Sequence, residues 1–260
     1  AMTICAVSVS ENEWEMWLEA IGEMTVVRDV EFPVSLVAGD VGAGRLAEQY
    51  GLTPSFARDL LPADVARYLS ESPVLGREDV GMHLRKLIAE CRTCGGRSVS
   101  IEMGLDRIRD ETFEQDFEER LKLLRALIPC ADQLRVSICV QVRYPKSFPG
   151  SKEWEHAGAL VHEVMHPNCR LAVNLVPEEF PPNFDISTFV RSCCFRIGTL
   201  RFHHGLASGE SMADDDMATW AKALRGHGFK GGIVFSPRVS TADALQAACR
   251  KIDRWARLFE

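Results

Sequence analysis

Polar and basic side chains recur in the second half of the chain wherever a short apolar run ends. Gln141 and Arg143 close one run, and Asn174 closes the next. Arginine makes bidentate contacts with carboxylates and phosphates, and amides supply further hydrogen bonds. These residue types predict a pocket for an anionic or sugar-like small molecule, in a protein of net charge −7. The candidate substrate-binding residues are Gln141, Arg143, Asn174, Arg201, Ser236 and Arg238.

Three further residues at the ends of apolar runs have side chains that can move protons. His203 and His204 begin a long loop, and an imidazole titrates near neutral pH. Glu102 ends an earlier run and is the candidate partner carboxylate. We predict these three as the catalytic residues. The alternative for the histidines is an ordinary hydrogen-bonded surface position.

Strand geometry decides which of these side chains share a face. Successive side chains of a strand point to opposite faces, so Gln141 and Arg143 lie on one face. The same alternation places Arg201 and His203 together. If these faces point inward, the pocket is neutral to positive. The alternative for any single arginine is that it points outward and pairs with an acid on a helix.

Alternating strands and helices are the elements that must position these residues. From residue 98 onward, apolar runs alternate with stretches of helical periodicity. The predicted strands are 3–8, 25–31, 34–38, 98–103, 134–142, 170–176, 198–203 and 232–236. The predicted helices are 11–24, short pieces near 54–61 and 63–70, and then 77–92, 112–128, 151–166, 186–194, 214–226 and 241–259.

Eight such strands with helices between most of them predict a parallel (β/α)8 TIM barrel, an α/β fold. We expect a single barrel domain over residues 1–260, with Ala1 a cloning remnant. The carboxyl ends of the strands build the active site of such a barrel, and the polar residues fall there. We expect Ser10 to cap the helix that follows it, and Thr112 to form a capping box with Gln115.

Composition argues against several classes of protein. The chain has 260 residues and a net charge of −7, whereas nucleic-acid-binding proteins usually carry a basic surface. No run approaches 18 apolar residues, so no membrane span is expected, and the first residues lack the basic stretch of a secretory signal. Nine cysteines, an odd number, are best explained as free thiols in a reducing cytoplasm.

The last strand–helix unit carries the most specific pattern, Gly228-Phe229-Lys230-Gly231 before a short apolar run. Together with strand ends at 141 and 174 and a strand through 201–204, it forms a frame in which residues 98–260 resemble the xylose isomerase-like barrels. This superfamily of sugar-phosphate isomerases and epimerases also includes a class of abasic-site endonucleases. The resemblance implies a TIM barrel with its site at the carboxyl ends of the strands.

The family resemblance also implies a metal site. Family members hold a divalent cation between Glu, Asp, His and Glu at four strand ends, where it polarises a sugar carbonyl and hydroxyl. The matching positions here are Gln141, Asn174, Arg201 and Ser236. Two carboxylates are thus replaced by amides, the imidazole by a guanidinium that cannot ligate a metal, and the last carboxylate by a hydroxyl. We therefore expect no metal and no other cofactor.

Two function classes remain open from the sequence. The first is a divergent isomerase, epimerase or lyase that acts on a carbohydrate-like anion without a metal. The second is a barrel without catalysis that binds an acidic or sugar-like metabolite, or that serves as a partner subunit. Fold alone does not choose between them. In both cases we expect a small-molecule ligand, with neither a nucleic acid nor a membrane as partner.

Other motifs have simpler structural interpretations. His162-Glu163-Val164-Met165-His166 matches the zinc-peptidase pattern, but helical periodicity turns both histidines toward solvent, so a zinc hydrolase is the less favoured alternative. Cys91 and Cys94 end a helix, whereas a redox pair begins one, so we interpret them as core thiols. The glycine-rich stretch 39–44 is interpreted as a loop, and residues 214–216 as a helix start.

Overall fold

The structure, a computed structural model, contains a closed barrel of eight parallel strands that follow one another in chain order. The strands are β1 (Ile4–Ser8), β2 (Asp29–Pro33), β3 (Thr53–Arg58), β4 (Ser98–Ile101), β5 (Ser137–Arg143), β6 (Cys169–Leu175), β7 (Ile197–Gly205) and β8 (Gly232–Arg238). β1 pairs with β8 and closes the barrel. The predicted TIM barrel is confirmed. The structure describes residues 3–37, 42–61, 77–108, 110–143, 152–180, 184–205, 213–239 and 241–260.

Helices lie between successive strands and cover the outside of the barrel. Those within the described ranges are α1 (Trp14–Gly22), α2 (Val34–Val37), α3 (Ala43–Gln49), α4 (Arg77–Thr93), α5 (Phe113–Leu134), α6 (Lys152–Val164), α7 (Ile186–Cys193), α8 (Asp214–Gly226) and α9 (Ala242–Ala256). None of these helices is long and apolar enough to cross a membrane.

The main apolar core lies between the barrel and the helices. Outward-facing side chains of neighbouring strands form part of it: the rings of Phe202 and Phe235 stack with centroids 6.1 Å apart. Phe202 meets Trp220 of α8 edge-on at 5.3 Å, and Phe235 lies 6.0 Å from Trp255 of α9. Each aromatic side chain removes a large apolar area from water, which holds the last two helices on the barrel.

A second, smaller cluster fills the inside of the barrel at its amino end. It consists of Ile4, Ala6, Phe56 and Val234. Gly232 leaves room for the ring of Phe56, because a Cβ at this position would lie 2.2 Å from the ring. Ser98 lies beside Phe56 in the strand register, and its hydroxyl is 3.3 Å from Cys139 Sγ and 3.4 Å from Thr199 Oγ1. The polar residues at the carboxyl ends of the strands therefore rest on a packed floor.

The third strand differs from the sequence prediction. Residues 34–38 were expected to be a strand, but Val34–Val37 form α2. Residues 54–61 were expected to be helical, but Thr53–Arg58 form β3. Pro54 resembled a helix start, yet it lies near the beginning of a strand, where a missing N–H group is tolerated. Pro33 ends β2, and its fixed φ suits the helical turn that follows.

Two predicted helix caps are wrong. α1 begins at Trp14 after Glu13, which has a φ of 56°, and Ser10 makes no cap there. The hydroxyl of Thr112 donates to Asp116 at 2.6 Å instead of accepting from the backbone, so no capping box forms. α5 also continues past Pro129 to Leu134, because buried side chains on both sides of the proline hold the helix against the core.

Several sequence predictions fall partly or wholly on residues that the structure does not describe. Ala1 and the helical piece expected at 63–70 lie outside the described residues. Of the glycine-rich stretch 39–44, only 42–44 are described, and α3 begins there at Ala43. Asp214 begins α8, as the sequence predicted.

All nine cysteines are free thiols, as predicted. Cys91 lies buried near the end of α4, and burial raises the pKa of its thiol to about 12. Cys94 follows the helix and packs so close to Gly44 that a Cβ there would lie 2.9 Å from the sulfur. A raised thiol pKa is the opposite of what a redox pair needs, which supports the interpretation of Cys91 and Cys94 as core residues.

Candidate functional site

A cavity of about 390 Å³ opens at the carboxyl ends of the strands. It is lined by six of the nine residues that the sequence nominated: Gln141, Asn174, Arg201, His203, Ser236 and Arg238. Strand register brings them together, because Asn174 lies beside Arg201 and His203 lies beside Ser236 on neighbouring strands. Further lining residues come from the first part of the chain, among them Ser8, Ser10, Trp17, Arg58 and Asp59.

The other three nominated residues do not line the cavity in the described structure. The side chain of Arg143 is 55% exposed at the end of β5 and pairs with Glu179, the outward pairing that the sequence left open. Glu102 follows β4 and does not contribute to the lining. His204 belongs to β7, but its side chain lies outside what is described. The expected proton-transfer pair of Glu102 with a histidine therefore stays a prediction.

Glu102 belongs instead to a group of acids at the rim. Burial, helped by the nearby charges of Asp106 and Glu102, raises the pKa of Glu153 to about 7, although the N–H group and the charge of Arg143 oppose the rise. That N–H group lies 3.4 Å from the Glu153 carboxylate. The effect of Glu102 in this part of the structure is therefore to raise the pKa of Glu153.

A buried ion pair forms the floor of the cavity. Arg201 Nε donates to Glu31 Oε2 at 2.9 Å, and Arg201 Nη2 donates to Glu31 Oε1 in a second parallel bond. The two side chains are only 2% and 1% exposed. Ser8, which lies beside Glu31 in the strand register, adds a hydrogen bond to the carboxylate. Glu31 therefore neutralises the charge of Arg201, a partner that the sequence analysis did not identify.

The same guanidinium links its own strand, β7, to four other strands. Arg201 Nη1 donates to Asn174 Oδ1 at 2.5 Å and lies 3.4 Å from Gln141 Oε1. Arg201 Nη2 also lies 3.3 Å from the hydroxyl of Ser100. With Glu31, these partners come from β2, β4, β5 and β6. A planar fork of fixed donors thus organises the carboxyl end of the barrel.

The charged pair shifts the pKa of both partners in the direction that keeps them ionised. Burial alone would raise the pKa of Glu31, but the charge and hydrogen bonds of Arg201, with smaller help from Arg58 and Ser8, hold it below its usual range. Burial would lower the pKa of Arg201, but Glu31 raises it. Both groups therefore stay charged around neutral pH, and their charges cancel.

A second arginine–carboxylate pair lies on the opposite wall. Arg58 Nη1 donates to Asp59, and Arg58 Nη2 donates to the carbonyl of Val9 at 3.2 Å. Asp59 has a φ of 60°, in the left-handed region that aspartate adopts more readily than most residues. Arg238 is exposed and makes no ion pair with a described side chain, so among the described lining residues it carries the positive charge that no carboxylate offsets.

His203 is a neutral imidazole in this setting. Burial, and then the charges of Arg201, Arg238 and Arg58, lower its pKa to about 4, although Glu31 opposes them. The sequence expectation of a group that titrates near neutrality is therefore wrong for His203. At neutral pH the ring has one N–H donor and one lone-pair acceptor.

The lowered pKa of His203 predicts a loss of stability in acid. Between pH 6.5 and about 4 the unfolded state binds a proton that the folded state does not, so the free energy of unfolding falls as the pH falls. We expect His203→Gln to remove about 2 kcal/mol of the difference between pH 7.5 and pH 4.5. Urea unfolding at both pH values measures it, with exposed His162→Gln as the control. Parallel pH profiles of wild type and His203→Gln would contradict the assignment.

Comparison with known proteins identifies the fold. No family model matches this sequence, and no curated protein matches it either. Among solved structures, D-psicose 3-epimerase from Clostridium cellulolyticum H10 superposes with a TM-score of 0.75 at 12% identity, covering 99% of each chain. The chain has a xylose isomerase-like TIM barrel fold. The resemblance inferred from the sequence is thus confirmed at the level of the fold.

Two further structures show the breadth of this xylose isomerase-like barrel fold. The 3-keto-D-glucoside 4-epimerase of E. coli has a TM-score of 0.68 at 13% identity and covers 98% of this chain and 99% of its own. A family 2 AP endonuclease from Brucella melitensis has a TM-score of 0.64 at 18% identity, covering 94% of this chain and 96% of its own. The superpositions show that the chain shares the fold of these proteins. The sequence identities are too low to show a shared activity, so the chemistry has to be argued from the residues of the site.

The residues of this xylose isomerase-like barrel do not fit the divalent cation that the family resemblance implies. The four strand-end positions hold two amides, a hydroxyl and a guanidinium that lies 2.5 Å from the Asn174 oxygen. Glu31, the carboxylate nearest to this centre, is already bonded twice to Arg201. Within the described residues, no three His, Cys, Asp or Glu side chains are grouped to hold a metal.

The zinc-peptidase motif has a different structure from the one its pattern requires. α6 ends at Val164, and Met165 has a φ of 49°, so His162 and His166 do not lie on one continuous helix. His166 Nδ1 accepts from the N–H of Asn168 at 3.2 Å, and its other ring nitrogen lies 3.8 Å from Asp132. The hypothesis of a zinc hydrolase loses its geometric basis.

The sequence analysis did not identify the site residues that come from the first half of the chain. Glu31 is the last residue of the predicted strand 25–31, a strand-end position like those of the polar residues in the second half of the chain. Arg58 and Asp59 were hidden because residues 54–61 were interpreted as helical. Once β3 is assigned, Arg58 stands at a strand end like the other basic residues of the cavity.

Proposed function

We propose that this barrel binds a carbohydrate-like anion in the cavity at the carboxyl ends of its strands, without a divalent cation. The observation that supports it most directly is the buried pair of Arg201 with Glu31 at the centre where the family resemblance implies a metal. The charges of Arg201 and Glu31 neutralise each other, and both side chains are held in place by the protein. The described residues of the cavity therefore offer polar groups to a ligand without offering a free set of metal ligands.

The charge of the lining favours an anion. Arg201 and Arg58 are each bonded to a carboxylate, which leaves Arg238 as the lining cation without an ion-pair partner among the described residues. An exposed guanidinium at the mouth of a half-open cavity is suited to a carboxylate or phosphoryl group. His203 stays neutral and adds no competing charge.

The remaining lining favours a polyhydroxylated ligand. Ser10 and Ser236 contribute hydroxyl groups to the lining, and the amides of Gln141 and Asn174 contribute further polar atoms. Trp17, which is buried in the core, contributes apolar atoms to the lining. A cavity of about 390 Å³ accommodates a small ligand of this type.

Removal of the unpaired cation is the direct test. Arg238→Ala is expected to weaken binding of gluconate and glucose 6-phosphate about 10- to 100-fold, the range of a lost hydrogen bond to a charged group. Neutral glucose is expected to bind more weakly than either anion to the wild type. Calorimetric titration in the presence of EDTA measures all three ligands.

Matched outcomes decide the proposal. Arg225→Ala, on the outer helix α8, is the control that removes one positive charge away from the cavity. Equal losses in both variants would mean that only general charge attraction operates. Wild-type binding that appears only after addition of Mn²⁺, or no binding of any of the three ligands, would refute the proposed function.

Catalysis is a second candidate function, and His203 is the observation that favours it. Its neutral imidazole faces the cavity and can accept a proton from a ligand. Glu102, the predicted partner carboxylate, is not among the described residues that line the cavity, so the proton donor of such a reaction is left unassigned. Deuterium uptake from D₂O at the carbon beside a sugar carbonyl, lost in His203→Gln, would establish it; no uptake over days would leave binding alone.

A further inference from the structure

The hydrogen bonds of Arg201 determine how the two amides of the cavity are oriented. A guanidinium has donors and no acceptor, so any amide atom facing it must be the carbonyl oxygen. Asn174 Oδ1 lies 2.5 Å and Gln141 Oε1 3.4 Å from Arg201 Nη1. The hydroxyl of Ser100 also donates to Gln141 Oε1 at 3.4 Å. Both amide oxygens are therefore used inside the protein.

The amide nitrogens consequently face the ligand space. Neither Gln141 Nε2 nor Asn174 Nδ2 donates to a described residue, and both side chains line the cavity. Neither nitrogen belongs to the buried atoms that lack a hydrogen-bond partner, so both are open to solvent or to a ligand. Each NH₂ group is a pair of donors aimed at the cavity side of its amide.

The same oxygen of Asn174 assigns the tautomer of His203. His203 Nε2 lies 3.3 Å from Asn174 Oδ1, which can only accept. The proton of the neutral imidazole must then be on Nε2, which leaves the lone pair on Nδ1. No described residue donates to Nδ1, so it remains an acceptor for the ligand.

We propose that Arg201 acts as a positioning residue that fixes the donor–acceptor pattern of the cavity: two amide NH₂ donors and one imidazole acceptor. This pattern matches a ligand with an oxyanion beside a hydroxyl group, as in a hydroxy acid of the sugar-acid class. The oxyanion accepts from the amides, and the hydroxyl donates to His203 Nδ1. The inference rests on the proposed function for its ligand, while the tautomer is a property of the free protein.

This arrangement is the reverse of a metal site. A cation would hold the oxygens of its protein ligands and present its own vacant positions to the substrate. Arg201 likewise takes the oxygens of Asn174 and Gln141, but it is fully coordinated by the protein. The ligand therefore contacts the NH₂ group of each amide, which is a hydrogen-bond donor.

The tautomer of His203 is tested without any ligand. Protein labelled with [¹⁵N]histidine at pH 7.5 is expected to show His203 with a protonated Nε2 and an unprotonated Nδ1 in long-range proton–nitrogen spectra. The spectrum of His203→Gln assigns the signals by difference. A proton on Nδ1 in the wild type would overturn the inference. In Asn174→Ala the single tautomer is expected to give way to a mixture, which loss of packing alone would not produce.

The amide donors are tested by isosteric reversal. Gln141→Glu and Asn174→Asp keep the oxygen that Arg201 needs and replace the NH₂ donor with an anionic acceptor. Each is expected to weaken gluconate binding at least 30-fold while the melting temperature is retained. Gln246→Glu, an exposed residue of α9, adds the same charge elsewhere and is expected to change binding less than twofold.

The outcomes separate this inference from the proposed function. If the wild type binds gluconate and the two amide variants bind it equally well, the donor pattern is wrong and the proposed function stands. If the wild type binds neither gluconate nor glucose 6-phosphate, the proposed function fails, while the nitrogen spectra still decide the tautomer. Acetate, which has a carboxylate without a hydroxyl, is expected to bind at least tenfold more weakly than glycolate; equal binding would remove the hydroxyl contact.

Discussion

Glu31→Leu is expected to lower the free energy of unfolding by about 3–5 kcal/mol, because it leaves the guanidinium of Arg201 buried without its counter-charge. The pair is only 1% and 2% exposed, so water cannot take the place of the lost carboxylate. Arginine does not lose its proton at accessible pH, so the cost should be similar at pH 8 and pH 5. Denaturant unfolding at the two pH values provides the measurement.

The reciprocal change has a different pH dependence. In Arg201→Leu the carboxyl of Glu31 loses the cation that lowers its pKa, and burial then raises the pKa above the unfolded value. A group with a raised folded pKa costs stability above that pKa, and the cost disappears as the pH falls through it. Arg201→Leu is therefore expected to be least destabilised in acid, whereas Glu31→Leu shows no such recovery.

The double variant separates the worth of the pair from the cost of breaking it. Glu31→Leu with Arg201→Leu removes both charges, and replacement of a buried ion pair by apolar residues is often neutral or stabilising. We expect it to be more stable than either single variant. Arg143→Leu, at the half-exposed pair with Glu179, is the matched control and should cost at most about 1 kcal/mol. A double variant destabilised by the sum of the two single effects would show that the two residues are not coupled.

The barrel was predictable from the sequence mainly where one physical signal dominated. From residue 98 onward, buried parallel strands are continuous apolar runs and outer helices carry one apolar stripe, so the two periods alternate visibly. In the first half, β3 is six residues long, contains Pro54 and ends in a charged residue, which hides its apolar character. α2 is a single helical turn of residues with high strand propensity, and its position after Pro33 outweighed that propensity.

The sequence predicted which polar residues line the cavity better than it predicted how their charges are paired. Alternation along β5, β6, β7 and β8 brings Gln141, Asn174, Arg201 and Ser236 to one cavity, because parallel strands end together. What alternation cannot supply is the partner of each charge. Glu31 is 170 residues away from Arg201 in the chain, and only closure of the barrel places the two side chains in contact. The outward turn of Arg143 likewise depends on Glu179, which lies in a connection.

Arg201 explains more of the site than its own charge. It neutralises Glu31, fixes the two amides and, through Asn174, fixes His203, so a single substitution on β7 changes the whole pattern of donors. Such a centre needs no bound ion, and its charge state does not vary with metal supply or with pH near neutrality. We therefore expect that a metal can bind at this centre only after Arg201 has been replaced.

Introduction of the ligand set that the family resemblance implies is expected to create a metal site only if Arg201 is removed. The variant Gln141→Glu/Asn174→Asp/Arg201→His/Ser236→Glu, with Glu31→Gln to avoid an unpaired buried carboxylate, carries hard oxygen ligands and one imidazole. We expect it to bind Mn²⁺ with a Kd of about 10 μM. At 1 mM Mn²⁺, about 100 times that Kd, the folded state should gain about 2.7 kcal/mol.

The decisive comparison keeps the guanidinium. Gln141→Glu/Asn174→Asp/Ser236→Glu with Arg201 and Glu31 retained has three new carboxylates, yet Arg201 Nη1 lies between the positions of the Asn174 and Gln141 oxygens and would bond the new carboxylates itself. We expect no Mn²⁺ binding tighter than about 1 mM, a difference of at least 100-fold, or about 2.7 kcal/mol. Thermal shift and calorimetry with Mn²⁺ measure both variants. Equal affinity in the two would mean that the lost carboxylates, and not Arg201, had excluded the metal.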